Sequence, residues 1–102
     1  MVPTFEKVYE AVKKIPKGKV STYGNIARLI GSRDVRKIGW ALHANPDSSK
    51  TPCHRVVNKE GRLAPGYAFG GSGEQKKKLE TEGVPFKNSD HVDLERALWK
   101  PE

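Results

Sequence analysis

The chain carries a single cysteine in 102 residues. One thiol closes no internal disulfide, so no covalent staple supports the fold, and a free thiol suits a reduced, cytoplasmic setting. Long apolar runs are missing too. Nothing approaches the ~18 residues that a membrane-spanning helix requires. The opening residues, Met1-Val2-Pro3-Thr4-Phe5-Glu6, hold no basic segment followed by an apolar stretch, so no secretory leader is expected. Metal ligands are scarce. Cys53 and three scattered histidines, His43, His54 and His91, do not make a zinc spacing. No metal and no other cofactor is expected. There is no repeat, no low-complexity tract and no long linker. Residues 1–102 therefore read as one domain, in keeping with ~100–200 residues per domain.

Against these absences stands an excess of positive charge. Lysine and arginine number 19 against 12 aspartates and glutamates, a formal net charge of +7. Such a balance favours polyanions, of which nucleic acid is the commonest, although solubility alone would also account for it. Residues 4–15 space Phe5, Val8, Tyr9, Val12 and Ile15 by threes and fours, one apolar face of a helix. Thr4 can cap it, and Ile15-Pro16-Lys17-Gly18 stops it. A second helix is predicted over 22–30, capped by Ser21 or Thr22. Tyr23, Ile26, Ala27 and Ile30 share one side, and Gly31 suits a left-handed stop. A third helix runs from about Asp34 to Ala44. Val35, Ile38 and Leu42 form its inner stripe, while Arg33, Arg36, Lys37 and Trp40 lie on or near the opposite side. Two short helices joined by a tight turn, the second displaying cations, resemble a helix-turn-helix. A merely solvated charged face is the plainer alternative.

The remainder is less regular. Asn45 to Pro52 is a polar loop closed by proline. Val56-Val57 reads as a short strand, Asn58-Lys59-Glu60-Gly61 as a turn, and Arg62-Leu63-Ala64 is expected to pair back as a hairpin. Gly66 to Gly73 is a glycine-rich loop containing Tyr67. Ser72, followed three residues later by Gln75, matches a capping box and would open a helix ending near Glu82-Gly83. In the tail, Val84, Phe86, Val92, Leu94, Leu98 and Trp99 are available to pack on the body. The expected architecture is mainly α with a small β-hairpin.

The segment that carries chemistry is Pro52-Cys53-His54-Arg55-Val56. A thiol attacks as thiolate, and a free cysteine has a pKa near ~8.5. A neighbouring base, acting directly or through water, raises the thiolate fraction. His54 is the candidate, and a carboxylate behind it would orient the ring. Adjacency alone also allows a small buried residue beside an exposed ring.

These five residues resemble the active-site signature of the O6-alkylguanine-DNA alkyltransferases. Gly18-Lys19-Val20-Ser21-Thr22-Tyr23-Gly24-Asn25-Ile26-Ala27 is similar to the first helix-turn-helix segment of that family. Arg36-Lys37-Ile38-Gly39-Trp40-Ala41 is similar to its recognition helix. Asn45-Pro46 precedes the signature at the family's distance, and Gly66-Tyr67 and Leu79-Glu80-Thr81-Glu82-Gly83 are similar to its closing segments. The resemblance covers roughly residues 5–86 and implies a winged-helix-like helix-turn-helix domain. It also implies roles. Cys53 would accept the alkyl group, with His54 as base through a water and Glu82 orienting the ring. Asn45 would organise the active-site turn. The Tyr23 hydroxyl would help protonate the departing guanine, and Arg36 would fill the stack vacated by the flipped base. Arg33, Lys37, Gly39 and Trp40 would meet DNA, with small residues on the recognition helix allowing close approach in the minor groove. Pro52, Val56 and the loop at Tyr67 would line the base pocket. Extruding the base costs a few kcal/mol, which bound protein must offset.

The short length, the Gly66–Gly73 loop and the ending Leu98-Trp99-Lys100-Pro101 are instead similar to the alkyltransferase-like proteins of the same family. Those bind O6-alkylguanine in DNA without transferring the alkyl group and flag it for nucleotide excision repair. Their nucleophile position holds tryptophan or alanine, whereas this chain has Cys53. Two readings follow: a single-use methyltransferase, or a damage sensor that recruits nucleotide excision repair proteins. Either would act as a cytoplasmic, nucleoid-associated monomer on double-stranded DNA, away from membranes. A general basic nucleic-acid binder, indifferent to Cys53 and Tyr23, is the third.

Overall fold

A computed structural model describes residues 3–45, 50–64 and 70–101. Helices α1 (Pro3–Lys13), α2 (Tyr23–Leu29) and α3 (Val35–His43) pack against one another and enclose the main core. The predicted spacing of α1 holds: Val8, Val12 and Ile15 are buried, with Phe5 and Tyr9 partly buried against the same core. The helix ends at Lys13, and the next two amides tighten the exit, Lys14 onto the Ala11 carbonyl and Ile15 onto that of Val12, each at 3.1 Å. Thr22, rather than Ser21, caps α2, its hydroxyl accepting from the Asn25 amide at 3.1 Å. Asp34 caps α3 by accepting from the Arg36 amide at 3.1 Å. Gly31, at φ 74°, makes the left-handed turn between them. Each fully buried aliphatic side chain here, such as Ile26 or Ile38, stabilises the fold by about 1.5–3 kcal/mol.

Val35 departs from expectation. It has the spacing of the inner stripe but is 45% exposed, because no neighbour covers the first turn of α3 and burial begins one turn later, at Ile38.

The expected hairpin is also corrected. The sheet is parallel: β1 (Ser21–Thr22) pairs with β2 (Val56–Val57) in the register Ser21 to Val56. Asn58 explains why the chain does not simply fold back. Its carboxamide oxygen takes the amides of Glu60 and Arg62, at 2.9 and 2.8 Å, so that the backbone bonds here are confined to the turn, from the Gly61 amide to the Asn58 carbonyl and from the Asn58 amide to the Arg62 carbonyl. Arg62 then bridges to His91 in the tail. The tail, whose apolar residues were available for packing, returns to the body. After α5 (Leu94–Ala97), the Trp99 amide donates to Val20 at 2.7 Å. Val84 and Val92 join a second core with Val20, Val57, Leu63 and Leu79.

Helix α4 (Gly71–Thr81) starts without the predicted capping box. Gly70, at φ 115°, occupies the cap position and Ser72 lies inside the helix. Gln75 is engaged elsewhere. Fully buried, it accepts from the Ala64 amide at 2.8 Å and donates to the carbonyls of His54 and Val56, both at 3.1 Å.

Candidate active site and nucleic-acid interface

Cys53 opens a single 3₁₀ turn, Cys53–Arg55, that runs directly into β2. Asn45 shapes the approach. Its buried side-chain amide donates to the Thr51 carbonyl at 2.9 Å, and the same carbonyl accepts the Cys53 amide at 2.7 Å. The cysteine is 4% exposed and belongs to the main core cluster.

His54, the next residue of the turn, is also buried. Its Nε2 lies 3.0 Å from Glu82 Oε2, across a gap of 28 residues in sequence. A carboxylate accepts only, so Nε2 carries the proton and Nδ1 keeps its lone pair. That Nδ1 is buried and has no hydrogen-bond partner. Burial holds the ring's pKa below its ordinary 6.5, outweighing the opposing pull of Glu82. The imidazole is therefore neutral at pH 7, with a free basic nitrogen.

Arg55 completes this cluster and was not singled out by sequence reasoning. Its Nε donates to Glu82 Oε1 at 3.0 Å and its Nη2 to Oε2 at 2.7 Å, a two-pronged clamp. Nη1 reaches the Ile15 carbonyl at 2.9 Å, at the exit of α1. Burial alone would raise the Glu82 pKa, but the hydrogen bonds from Arg55 and His54 bring it below its usual value. The available signal was physical: a carboxylate drawn in to orient a histidine needs a cation to stay charged. Outside this cluster, Lys17, Lys77, Lys78 and Thr81 frame a cleft of about 370 Å³ onto which His54 and Glu82 open.

Tyr23 is the first residue of α2, half-buried against the main core. Burial and then the nearby Cys53 raise its hydroxyl pKa, so it stays protonated and able to donate. Tyr9, read in sequence only as part of an apolar face, is raised by the same two causes and donates to the Ala41 carbonyl of α3 at 2.7 Å. Pro52 is half-buried beside the cysteine, whereas Val56 is a core residue of β2. Tyr67 lies outside the described residues.

The structure brings the remaining predicted residues together on and just before α3. Arg33, Arg36 and Lys37 are exposed and make no ion pair among the described residues. Trp40 is 58% exposed on the same helix. A Cβ added to Gly39 would meet nothing within 4 Å, so this surface is bare backbone open to close approach. Among the described residues no group of three or more acidic, histidine or cysteine side chains is set to hold a metal, and no helix is long and apolar enough to cross a membrane.

Residues 3–84 match the family described as 6-O-methylguanine DNA methyltransferase, DNA binding domain. The chain is 40% identical over 103 residues to Alkyltransferase-like protein 1 of Schizosaccharomyces pombe, covering 95% of this chain and 94% of that protein. It is 46% identical over 68 residues to the methylated-DNA–protein-cysteine methyltransferase of Methanosarcina acetivorans, covering 65% of this chain and 43% of that protein. The fold superposes on the crystal structure of S. pombe Atl1 in complex with damaged DNA containing O6-carboxymethylguanine. There the TM-score is 0.86 at 38% identity, over 99% of this chain and 98% of the other.

Proposed function

The chain belongs to the 6-O-methylguanine DNA methyltransferase family through its DNA-binding domain, and from that premise we propose that it binds O6-alkylguanine in duplex DNA, extrudes the base and moves the alkyl group to Cys53. The observation that carries this reading is the Arg55–Glu82–His54 cluster. It leaves a neutral, buried imidazole with an unpartnered Nδ1 on the residue next to the thiol. Such a base is superfluous in a pure binding module and is what a thiol needs at neutral pH.

The steps follow from the groups present. Exposed Arg33, Arg36 and Lys37 on the α3 side neutralise phosphates, and Arg36 enters the stack as the base leaves it. The thiol proton passes through a water to His54 Nδ1. The thiolate sulfur attacks the alkyl carbon, so an S–C bond forms as the O6–C bond breaks. Tyr23 donates a proton to the displaced guanine, which is a poor leaving group as an anion. The proton held at His54 restores Tyr23, so the proton lost by the thiol equals the one gained by guanine. The thioether is stable, and each molecule acts once.

The damage-sensor reading is favoured by one observation: a relative matched over nearly its whole length is an alkyltransferase-like protein. In that reading Cys53 stays unmodified and the bound lesion recruits nucleotide excision repair proteins. Intact-mass measurement after incubation with a duplex bearing one O6-methylguanine separates the two. One added methyl on Cys53, lost in Cys53→Ala with lesion binding retained, supports transfer. Tight lesion-selective binding with unchanged mass supports the sensor and overturns transfer.

A further inference from the structure

On the outer side of α2 lies a groove that the proposed chemistry does not use. Tyr23, Ile26, Ala27 and Ile30 turn inward, Tyr23 towards Cys53. Asn25, Arg28 and Leu29, at i, i+3 and i+4, therefore face away from the thiol. Opposite them runs the tail, Leu98 to Pro101. The two walls enclose about 450 Å³ over a buried Ser21. The groove continues past Lys14 through a second cleft of about 460 Å³ that shares Leu29, Trp99, Lys100 and Pro101. Both walls are fixed: the Trp99 amide is bonded to Val20 and its side chain packs on the main core.

Two properties define what fits. The lining is apolar at its centre, where Leu29 is 43% exposed beside Trp99 and Pro101. Its rim is cationic. Lys14, Arg28 and Lys100 are exposed and none makes an ion pair or side-chain hydrogen bond among the described residues. Among the described residues no carboxylate lines either cleft, and Glu10 lies in a third, adjoining cleft beside Lys7. A duplex is convex and offers phosphates, which suit the exposed α3 cations better than a concave apolar floor. A side chain on an extended peptide does enter such a groove, whose volume is within the ~300–1,000 Å³ of ordinary ligand sites.

We infer that this groove binds an acidic protein segment carrying one large apolar side chain. That side chain lies between Leu29 and Trp99, and flanking carboxylates pair with Lys14, Arg28 and Lys100. This surface is independent of whether Cys53 transfers alkyl groups, since it lies on the other side of α2.

The test uses the full chain, isotope-labelled, titrated with a synthetic peptide of Asp and Glu around one Phe. The expected result is a set of NMR shifts at Asn25, Leu29 and the Trp99 indole, with Arg33 to Trp40 unmoved. The double variant Arg28→Glu/Lys100→Glu should weaken the peptide roughly tenfold, while lesion-duplex affinity changes by less than about twofold. Absence of shifts in the groove overturns the inference. Equal binding of the same peptide with Ser in place of Phe does too, because it reduces the effect to general charge attraction. If undamaged duplex rather than peptide shifts Leu29 and Trp99, the groove is a DNA surface and the inference fails.

Discussion

Replacing Glu82 by Gln removes one charge from a cluster of three groups that are almost wholly covered. The side chains of Glu82, Arg55 and His54 are 10%, 16% and 8% exposed. Three hydrogen bonds end on the carboxylate, from His54 Nε2, Arg55 Nε and Arg55 Nη2. The single oxygen of an amide cannot serve all three, and its NH2 would confront a donor. Arg55 is left charged without a partner. Removing one member of a buried pair costs ~3–5 kcal/mol. Arg55 keeps the Ile15 carbonyl and some solvent, which places the loss near the lower end, about 3 kcal/mol. At ~4–8 °C per kcal/mol for a domain of this size, the melting temperature should fall by roughly 12–24 °C. The proton at His54 Nε2 also loses the acceptor that fixed it, so transfer to Cys53 should slow by roughly a hundredfold or more. A second substitution separates the effects. Arg55→Met on the Glu82→Gln background removes the stranded charge and should recover much of the melting temperature without recovering transfer. Calorimetry and single-turnover mass spectrometry read both quantities. A Glu82→Gln protein that melts within about 1 kcal/mol of the parent and transfers normally would refute the argument, since neither the clamp nor the base would then depend on the carboxylate.

Acidification should act in one direction on two quantities. The folded His54 pKa is lowered below 6.5, so the unfolded chain takes a proton first and stability starts to fall as pH drops below 6.5; the lowered Glu82 pKa adds a stabilisation present above 4.5 that is lost as pH falls through the folded value. Transfer should be flat through neutral pH and fall once Nδ1 is protonated, and a rate that rises on acidification would contradict His54 as base. Gln75→Leu strands the Ala64 amide and the carbonyls of His54 and Val56, and urea unfolding should show a loss of at least about 3 kcal/mol, given ~1–3 kcal/mol for each of the three stranded groups. If Arg33, Arg36 and Lys37 each meet a phosphate, the logarithm of duplex affinity should fall with that of salt at a slope near about −2.7, reduced by roughly one unit in Arg36→Ala. A slope unchanged in that variant would remove Arg36 from the phosphates and leave it only its place in the stack.

The helices were legible because burial repeats with the helical period: Val8, Val12 and Ile15, or Ile26 and Ile30, announce themselves. The sheet was not, because two-residue strands 35 positions apart owe nothing to local pattern; Ser21 and Val56 are brought together by the tertiary packing around them. Local rules also lost to tertiary demand. Ser72 and Gln75 had the letters of a capping box, yet Gln75 satisfies three distant backbone groups instead. The partnership of His54 with Glu82 was accessible only through family resemblance, since adjacency to Cys53 says nothing about a residue 28 positions on. Arg55 stood in plain view inside the same five-residue signature. A charged residue beside a strand is ordinarily a solvated one, and only its 16% side-chain exposure reveals otherwise.

Helix α1 then acquires a meaning beyond its apolar face. At its exit the Ile15 carbonyl receives Arg55, which clamps Glu82 and through it fixes His54. One side of the same helix sends the Tyr9 hydroxyl to Ala41 in α3, the helix that displays Arg36 and Trp40. Just past it Gly18, at φ 88°, lies against the Glu82 backbone, where a Cβ would sit 3.3 Å from the carbonyl oxygen. The proposed base and the proposed DNA-facing helix are thus referenced to one rigid element rather than to each other. Extruding a base displaces nucleic acid by many ångströms, whereas a proton relay tolerates almost no displacement. A common anchor lets α3 bear the load of a distorted duplex while the spacing of Arg55, Glu82 and His54 stays constant.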